Sequence, residues 1–129
     1  TIPMTRTIID QCPPGFLQQQ AEKAKAFDVI IGWSLGGQLA TLLADQISKQ
    51  YHQQKILITL ASNPCFVESC IENAEWHTAM PQATFQSFKQ SFQQDAIATL
   101  KKFGFMVCQG VKTTKEDFAT LQSLIQPQI

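Results

Sequence analysis

The feature that most constrains this chain is the octapeptide IIGWSLGG at residues 30–37. The apolar run FDVII (27–31) leads directly into Gly32-Trp33-Ser34-Leu35-Gly36. A run without polar alternation predicts a central parallel strand covered on both faces. Residues 36–50 follow, with Leu39, Ala40, Leu42, Leu43 and Ile47 forming a wide apolar stripe at helical spacing. Gly32 to Gly36 thus matches G-x-S-x-G, with a buried strand before it and a helix after it. In that context the serine sits on a sharp, strained turn that pushes its hydroxyl above the carboxyl ends of the strands. Gly32 and Gly36 are expected to be glycine because side chains there would collide. The helix N-terminus aims its free N–H groups at whatever binds. Ser34 is therefore a candidate nucleophile, and the Leu35 N–H a candidate oxyanion donor, a kind of contact worth ~3 kcal/mol of barrier. The competing reading is a plain β–α turn with Ser34 capping the helix. Neither G-x-x-x-x-G-K-[ST] nor G-x-G-x-x-G occurs, which removes the glycine loops that bind phosphates.

Around this centre, KILITLA (55–61) predicts a second continuous apolar strand, and RTIID (6–10) a short β-branched one ended by the turn QCPPG. Phe16, Leu17, Ala21 and Ala24 predict a helix over 16–26. The β-α-β-α-β order implies a parallel sheet with right-handed crossovers. After Ala61 the character changes. Residues 62–81 read as a long irregular connection, and 84–103 as one helix carrying Phe85, Phe88, Phe92, Ile97, Leu100 and Phe103. Gly104 and Gly110 loosen the next stretch. Thr113 followed by Glu116 forms a capping-box signature for a last helix through Ile125, stopped by Pro127. The expected division is 1–63, an α/β core, and 64–129, a helical segment.

Lysine plus arginine and aspartate plus glutamate number ten each. The balance leaves no basic footprint for nucleic acid or an anionic membrane. Cys12, Cys65, Cys70 and Cys108 form no C-x-x-C, and His52 and His77 lie at no zinc-ligand spacing from them. With no leader pattern and no long apolar run, the expectation is reduced thiols in a cytoplasmic protein.

GWSLGG (32–37), LASNPCF (60–66), Trp76 and the helical run FQSFKQSFQQDAIATLKKF (85–103) together resemble the α/β-hydrolase superfamily. More narrowly, they resemble the family of pimeloyl-[acyl-carrier protein] methyl ester esterases of biotin synthesis. The resemblance implies a partial α/β-hydrolase sheet, parallel strands with flanking helices, plus a helical lid. It implies that Ser34 is the nucleophile, with the Leu35 N–H in the oxyanion hole and Trp33 flanking the acyl chain. Phe103, Gly104, Phe105, Met106 and Val107 on the lid would line the substrate pocket. Lys102 falls on a basic position that meets the acidic acyl carrier protein, with Lys101, Lys112 and Lys115 nearby, whereas Ala98 stands where the family has arginine. No metal or organic cofactor is implied. The residues themselves favour core packing for the phenylalanines and a solvated face for the lysines.

A serine nucleophile needs a base and an orienting acid, in this superfamily in the order Ser, Asp or Glu, His. No histidine follows Asp95 or Asp117. His52 should lie ~20 Å from Ser34 along a helix, and His77 reads as a surface or lid-packing residue. The acid, the histidine and the second oxyanion donor are therefore expected outside these 129 residues, with the chain a central fragment of a longer hydrolase or a truncated product. Exposed strand edges would invite self-association. The alternatives are a general short-chain carboxylesterase and a non-catalytic remnant that serves as an interaction module.

Overall fold

The computed structural model describes residues 8–68 and 79–125. Two strands, β1 (Val29–Trp33) and β2 (Ile56–Leu60), pair in parallel, with Val29 opposite Ile56 and Trp33 opposite Leu60. Helix α1 (Phe16–Ala24) precedes β1, and α2 (Leu35–Tyr51) joins the strands. Three helices follow: α3 (Gln82–Gln94), α4 (Ala96–Val107) and α5 (Thr114–Ile125). The described residues thus form a two-stranded parallel sheet with helices, compatible with a partial α/β fold. The backbone divides into two compact units, Thr1–Met80 and Pro81–Ile129; the compositional change in the sequence lies earlier, at 63/64.

In the first unit α2 packs on the sheet and α1 packs on α2. The apolar residues of α2 explain this, since Ala40, Leu42 and Ile47 are buried, as is Ala21 of α1. QCPPG makes its turn through Gly15 at φ 79°, which opens α1. α2 ends on His52, whose N–H still reaches Ser48 O at 3.0 Å and whose φ of 53° turns the chain out of the helix.

Three expectations need correction. Residues 8–10 of RTIID are helical rather than extended, with Cys12 N–H on Ile9 O at 3.0 Å. Residues 6 and 7 lie outside the described residues. β-branched propensity is weak without a neighbouring strand, and among the described residues none pairs there, so local hydrogen bonds satisfy the backbone. Among the described residues the sheet is also covered on one face only, by α2. Ile30 and Gly32 face α2, whereas Val29, Ile31, Trp33, Ile56, Ile58 and Leu60 are each 40–62 % exposed. Finally, the single helix over 84–103 is two helices. Asp95 adopts an extended backbone, φ −150°, and its Oδ1 accepts the Ala98 N–H at 2.9 Å. That side-chain bond replaces the helical ladder and starts α4 afresh.

The second unit is held by edge-to-face aromatic pairs: Phe88 with Phe103 at 5.9 Å and Phe105 with Phe118 at 5.3 Å. At the start of α5 the Thr113 hydroxyl donates to Asp117 Oδ2 at 2.8 Å. Here Thr113 serves a carboxylate, not the backbone donor that a capping box would use.

An exposed polar knot ties α1 to the end of α2. Tyr51 Oη donates to the Glu22 carboxylate, and Lys25 Nζ pairs with Glu22 Oε1 at 2.7 Å while lying 4.7 Å from the Tyr51 ring centre. Lys25, then Tyr51, hold Glu22 below its ordinary value, and Glu22 holds Tyr51 above its own. A lowered carboxylate stabilises above its unfolded value of 4.5 and loses that contribution as pH falls through the lower folded value. A raised phenol stabilises below 10.0 and loses its contribution as pH rises through the higher folded value. Thermal unfolding followed by circular dichroism should therefore show Tyr51→Phe melting below the wild type at neutral pH, with the gap closing above pH 10. The gap for Glu22→Gln should close instead on the acid side.

Candidate functional site

Only Ser34 separates the end of β1 from the start of α2, so the chain must reverse direction there. It does so at φ 52° and ψ −122°. For a residue with a Cβ this region costs of order 1–3 kcal/mol and persists only where the surroundings over-determine it. Several contacts do so here. The Ser34 N–H continues the ladder to Leu60 O at 2.9 Å, and Ser34 O accepts from the Gly37 N–H at 3.0 Å. Behind the turn, α2 lies directly against β1. A Cβ on Gly32 would lie 2.6 Å from both Gly36 C and Gly37 Cα. A Cβ on Gly37 would lie 2.5 Å from Ser62 Cβ.

These distances correct the expected reason for the second motif glycine. A Cβ on Gly36 would meet nothing within 4 Å. The steric demand falls on Gly32 and on Gly37, one residue past the motif, where the β2 exit loop crosses the helix. The doubled glycine of GWSLGG was the available signal.

Ser34 makes no side-chain bond to the first turn of α2, which removes the helix-capping reading. Its side chain is half-buried and Trp33 beside it is 57 % exposed. Leu35 is the first helical residue, so its N–H has no carbonyl of its own helix to serve. A half-buried hydroxyl, a free amide and the positive end of a 17-residue helix dipole therefore converge at one turn. That arrangement can present an alkoxide to a carbonyl and receive the resulting oxyanion.

The loop leaving β2 is tied to the same turn. The Gln38 side chain, 3 % exposed, donates from Nε2 to Asn63 O at 2.6 Å, and Asn63 Oδ1 accepts the Cys65 N–H at 3.0 Å. A shallow cavity of about 190 Å³ lies here, lined by Gly37, Gln38, Thr41, Thr59, Ser62 and Pro64. Sequence reasoning missed Gln38; a glutamine on the otherwise apolar stripe of α2 was its only trace.

His52 caps the far end of α2, about 25 Å from Ser34 at 1.5 Å per residue. Trp76, His77 and Cys70 lie outside the described residues. Cys12 and Cys108 are free thiols, and Cys65 is buried. Among the described residues no three His, Cys, Asp or Glu are placed to hold a metal, and no helix is long and apolar enough to cross a membrane.

The remaining candidates belong to the second unit. Phe103 packs on Phe88 and Phe105 on Phe118. Gly104 is buried, its missing Cβ pointing toward Leu121 Cδ2 and Phe118 Cε2 at 3.4 and 3.6 Å. Met106 and Val107 are 57 and 43 % exposed. Consecutive helical residues point ~100° apart, so 103–107 are spread around α4. Lys102 is exposed and borders an apolar cleft of about 380 Å³ with Ala98, Lys101, Phe105 and Phe118.

No protein-family model matches the chain. Individual proteins do. The chain is 38 % identical over 115 residues to a biotin biosynthesis bifunctional protein of Teredinibacter turnerae, covering 84 % of this chain and 19 % of that one. It is 37 % identical over 95 residues to a pimeloyl-[acyl-carrier protein] methyl ester esterase of Shewanella woodyi, covering 74 % and 35 %. To the protein of the same name from Citrobacter koseri it is 30 % identical over 118 residues, covering 91 % and 41 %. The resemblance seen in the motifs therefore extends over most of the chain, while the chain spans less than half the length of these curated relatives.

The glycine geometry predicts opposite outcomes for two conservative changes. Gly32→Ala should lower stability by about 1–3 kcal/mol through overpacking. Gly36→Ala should be neutral or add up to about 1 kcal/mol of helix propensity. Urea unfolding of the two variants measures both.

Proposed function

We propose that this chain, similar over most of its length to esterases named for a pimeloyl-carrier methyl ester, carries the nucleophile segment of a serine carboxylesterase. The observation behind this reading is the backbone of Ser34, φ 52° and ψ −122°, held at the mouth of a helix whose first turn the hydroxyl does not cap. Backbone strain of this kind clusters at active sites and ligand clamps.

In the proposed reaction Ser34 Oγ attacks the carbonyl carbon of a methyl ester. The Leu35 N–H donates to the oxyanion of the tetrahedral intermediate. Collapse expels methanol and leaves an acyl-serine, which water hydrolyses to the free carboxylic acid and the serine. A histidine base takes the serine proton and returns it to the leaving oxygen. Neither His52, at the far end of α2, nor any other described residue is assigned that part.

The substrate class follows from the relatives' names: a methyl ester of a pimeloyl-type acyl chain on acyl carrier protein, in biotin synthesis. Trp33 would flank the acyl chain, and residues 103–107 would line its pocket as part of a helical lid. The exposed ammonium of Lys102 suits an acidic carrier protein. The free thiols suit a cytoplasmic setting. The uncovered sheet face and open strand edges favour pairing with further polypeptide, self-association of this chain included.

Two experiments test the proposal. A fluorophosphonate probe should label Ser34, located by peptide mass spectrometry, and Ser34→Ala should abolish the label. An unlabelled Ser34 in the full-length protein would leave the non-catalytic remnant. In hydrolysis assays the carrier-bound methyl ester should turn over at least about tenfold faster in kcat/KM than the free one, a difference of ~1.4 kcal/mol. Equal rates would reduce the reading to a general short-chain carboxylesterase.

A further inference from the structure

We infer that Gln38 is a positioning residue for Ser34, acting through a clamp on the β2 exit loop; the inference rests on the nucleophile reading of Ser34. Gln38 lies one helical turn past the serine. It is the one buried residue of α2 with a hydrogen-bonding side chain, and it is 3 % exposed. A buried amide is costly unless bonded. Its Nε2 meets this need by donating 2.6 Å to Asn63 O, 25 residues further on.

The bond matters because of what it holds in place. Asn63 follows Ser62, and Ser62 presses on Gly37, where even a methyl group would not fit. Gly37 in turn donates its N–H to Ser34 O at 3.0 Å. On the other side, Leu60 O holds the Ser34 N–H at 2.9 Å. The serine's unfavourable backbone is thus gripped through both of its peptide groups, by residues 60 and 37. The clamp fixes residues 60–65 to the first turn of α2, so both grips keep one spacing. Asn63 Oδ1 to the Cys65 N–H and Cys65 Sγ to Val67 O, at 3.0 and 2.9 Å, stiffen the clamped loop. Without the Gln38 donor the loop can lift from Gly37, and the turn can relax toward ordinary backbone.

The test separates a donor from a space-filler. Gln38→Met keeps length and volume but cannot donate. Gln38→Glu keeps shape, and donates only while its carboxyl is protonated. Amide exchange at Gly37 and Cys65, corrected for intrinsic rates, should quicken at least tenfold in Gln38→Met at pH 5 and pH 8. In Gln38→Glu it should quicken at pH 8 and return toward wild type at pH 5. Wild-type protection should be the same at both. Exchange in Gln38→Met equal to wild type, or a Gln38→Glu variant indifferent to pH, overturns the clamp. Fluorophosphonate labelling of Ser34 reads the consequence. With the wild type labelled, Gln38→Met should react at least tenfold more slowly, and an equal rate overturns the positioning role. A full-length wild type that is not labelled refutes the nucleophile reading and with it any catalytic role for Gln38. The exchange data then still decide whether the clamp exists.

Discussion

The arrangement rests on one close approach, that of the α2 backbone to Gly32. A helix that starts one residue after a strand ends can fold back over the sheet only if nothing stands between them. Gly32 leaves that space empty, with Gly36 C and Gly37 Cα where a side chain would have been. Once the helix lies that close, the intervening residue has no relaxed conformation left. The positive φ of Ser34 is thus a consequence of packing. The same bend leaves the Ser34 hydroxyl without a bond to the helix and the first amide of α2 unpaired beside it.

Strain of ~1–3 kcal/mol is a sizeable share of the stability of a small domain. The first unit offsets it with short-range order. The Ser34 N–H extends the parallel ladder by one bond beyond the paired strands. Ala61, immediately after β2, also has positive φ, at 47°. Both strands therefore end in unfavourable backbone side by side, and the Gln38–Asn63 bond lies just beyond. The cost is concentrated where the candidate chemistry is, while the core of Ala21, Ala40, Leu42 and Ile47 uses ordinary helix packing.

What the sequence made legible follows from how local each signal is. The β1-α2-β2 order was readable because continuous apolar strands and a period-3.6 stripe are short-range patterns. The bend at Ser34 was readable because glycine spacing encodes a steric requirement directly. The role of Gly37 was not, since it depends on Ser62, 25 residues away, crossing the helix. RTIID misled for a related reason: β-branched residues describe what a segment tolerates, and only a neighbouring strand makes it a strand. Asp95 hid inside an uninterrupted helical pattern because aspartate is as compatible with a helix start as with a helix surface. Part of the aromatic spacing of 85–103 survived that error, since the two helices around Asp95 still pack Phe88 on Phe103.

The exposure of the sheet bears on what the strands' composition means. Val29, Ile31, Trp33, Ile56, Ile58 and Leu60 share one face by register, and all are exposed. A strand selected to meet water on one face alternates polar and apolar residues. These strands do not, so their sequence answers to an environment apolar on both sides. Burying a side chain of this kind contributes about 1.5–3 kcal/mol, so even partial cover of six would outweigh the strain at Ser34. The turn is thus built to be held by a sheet covered on both faces. Its rigidity, and the reactivity of any hydroxyl it presents, should rise with whatever polypeptide occupies the open face.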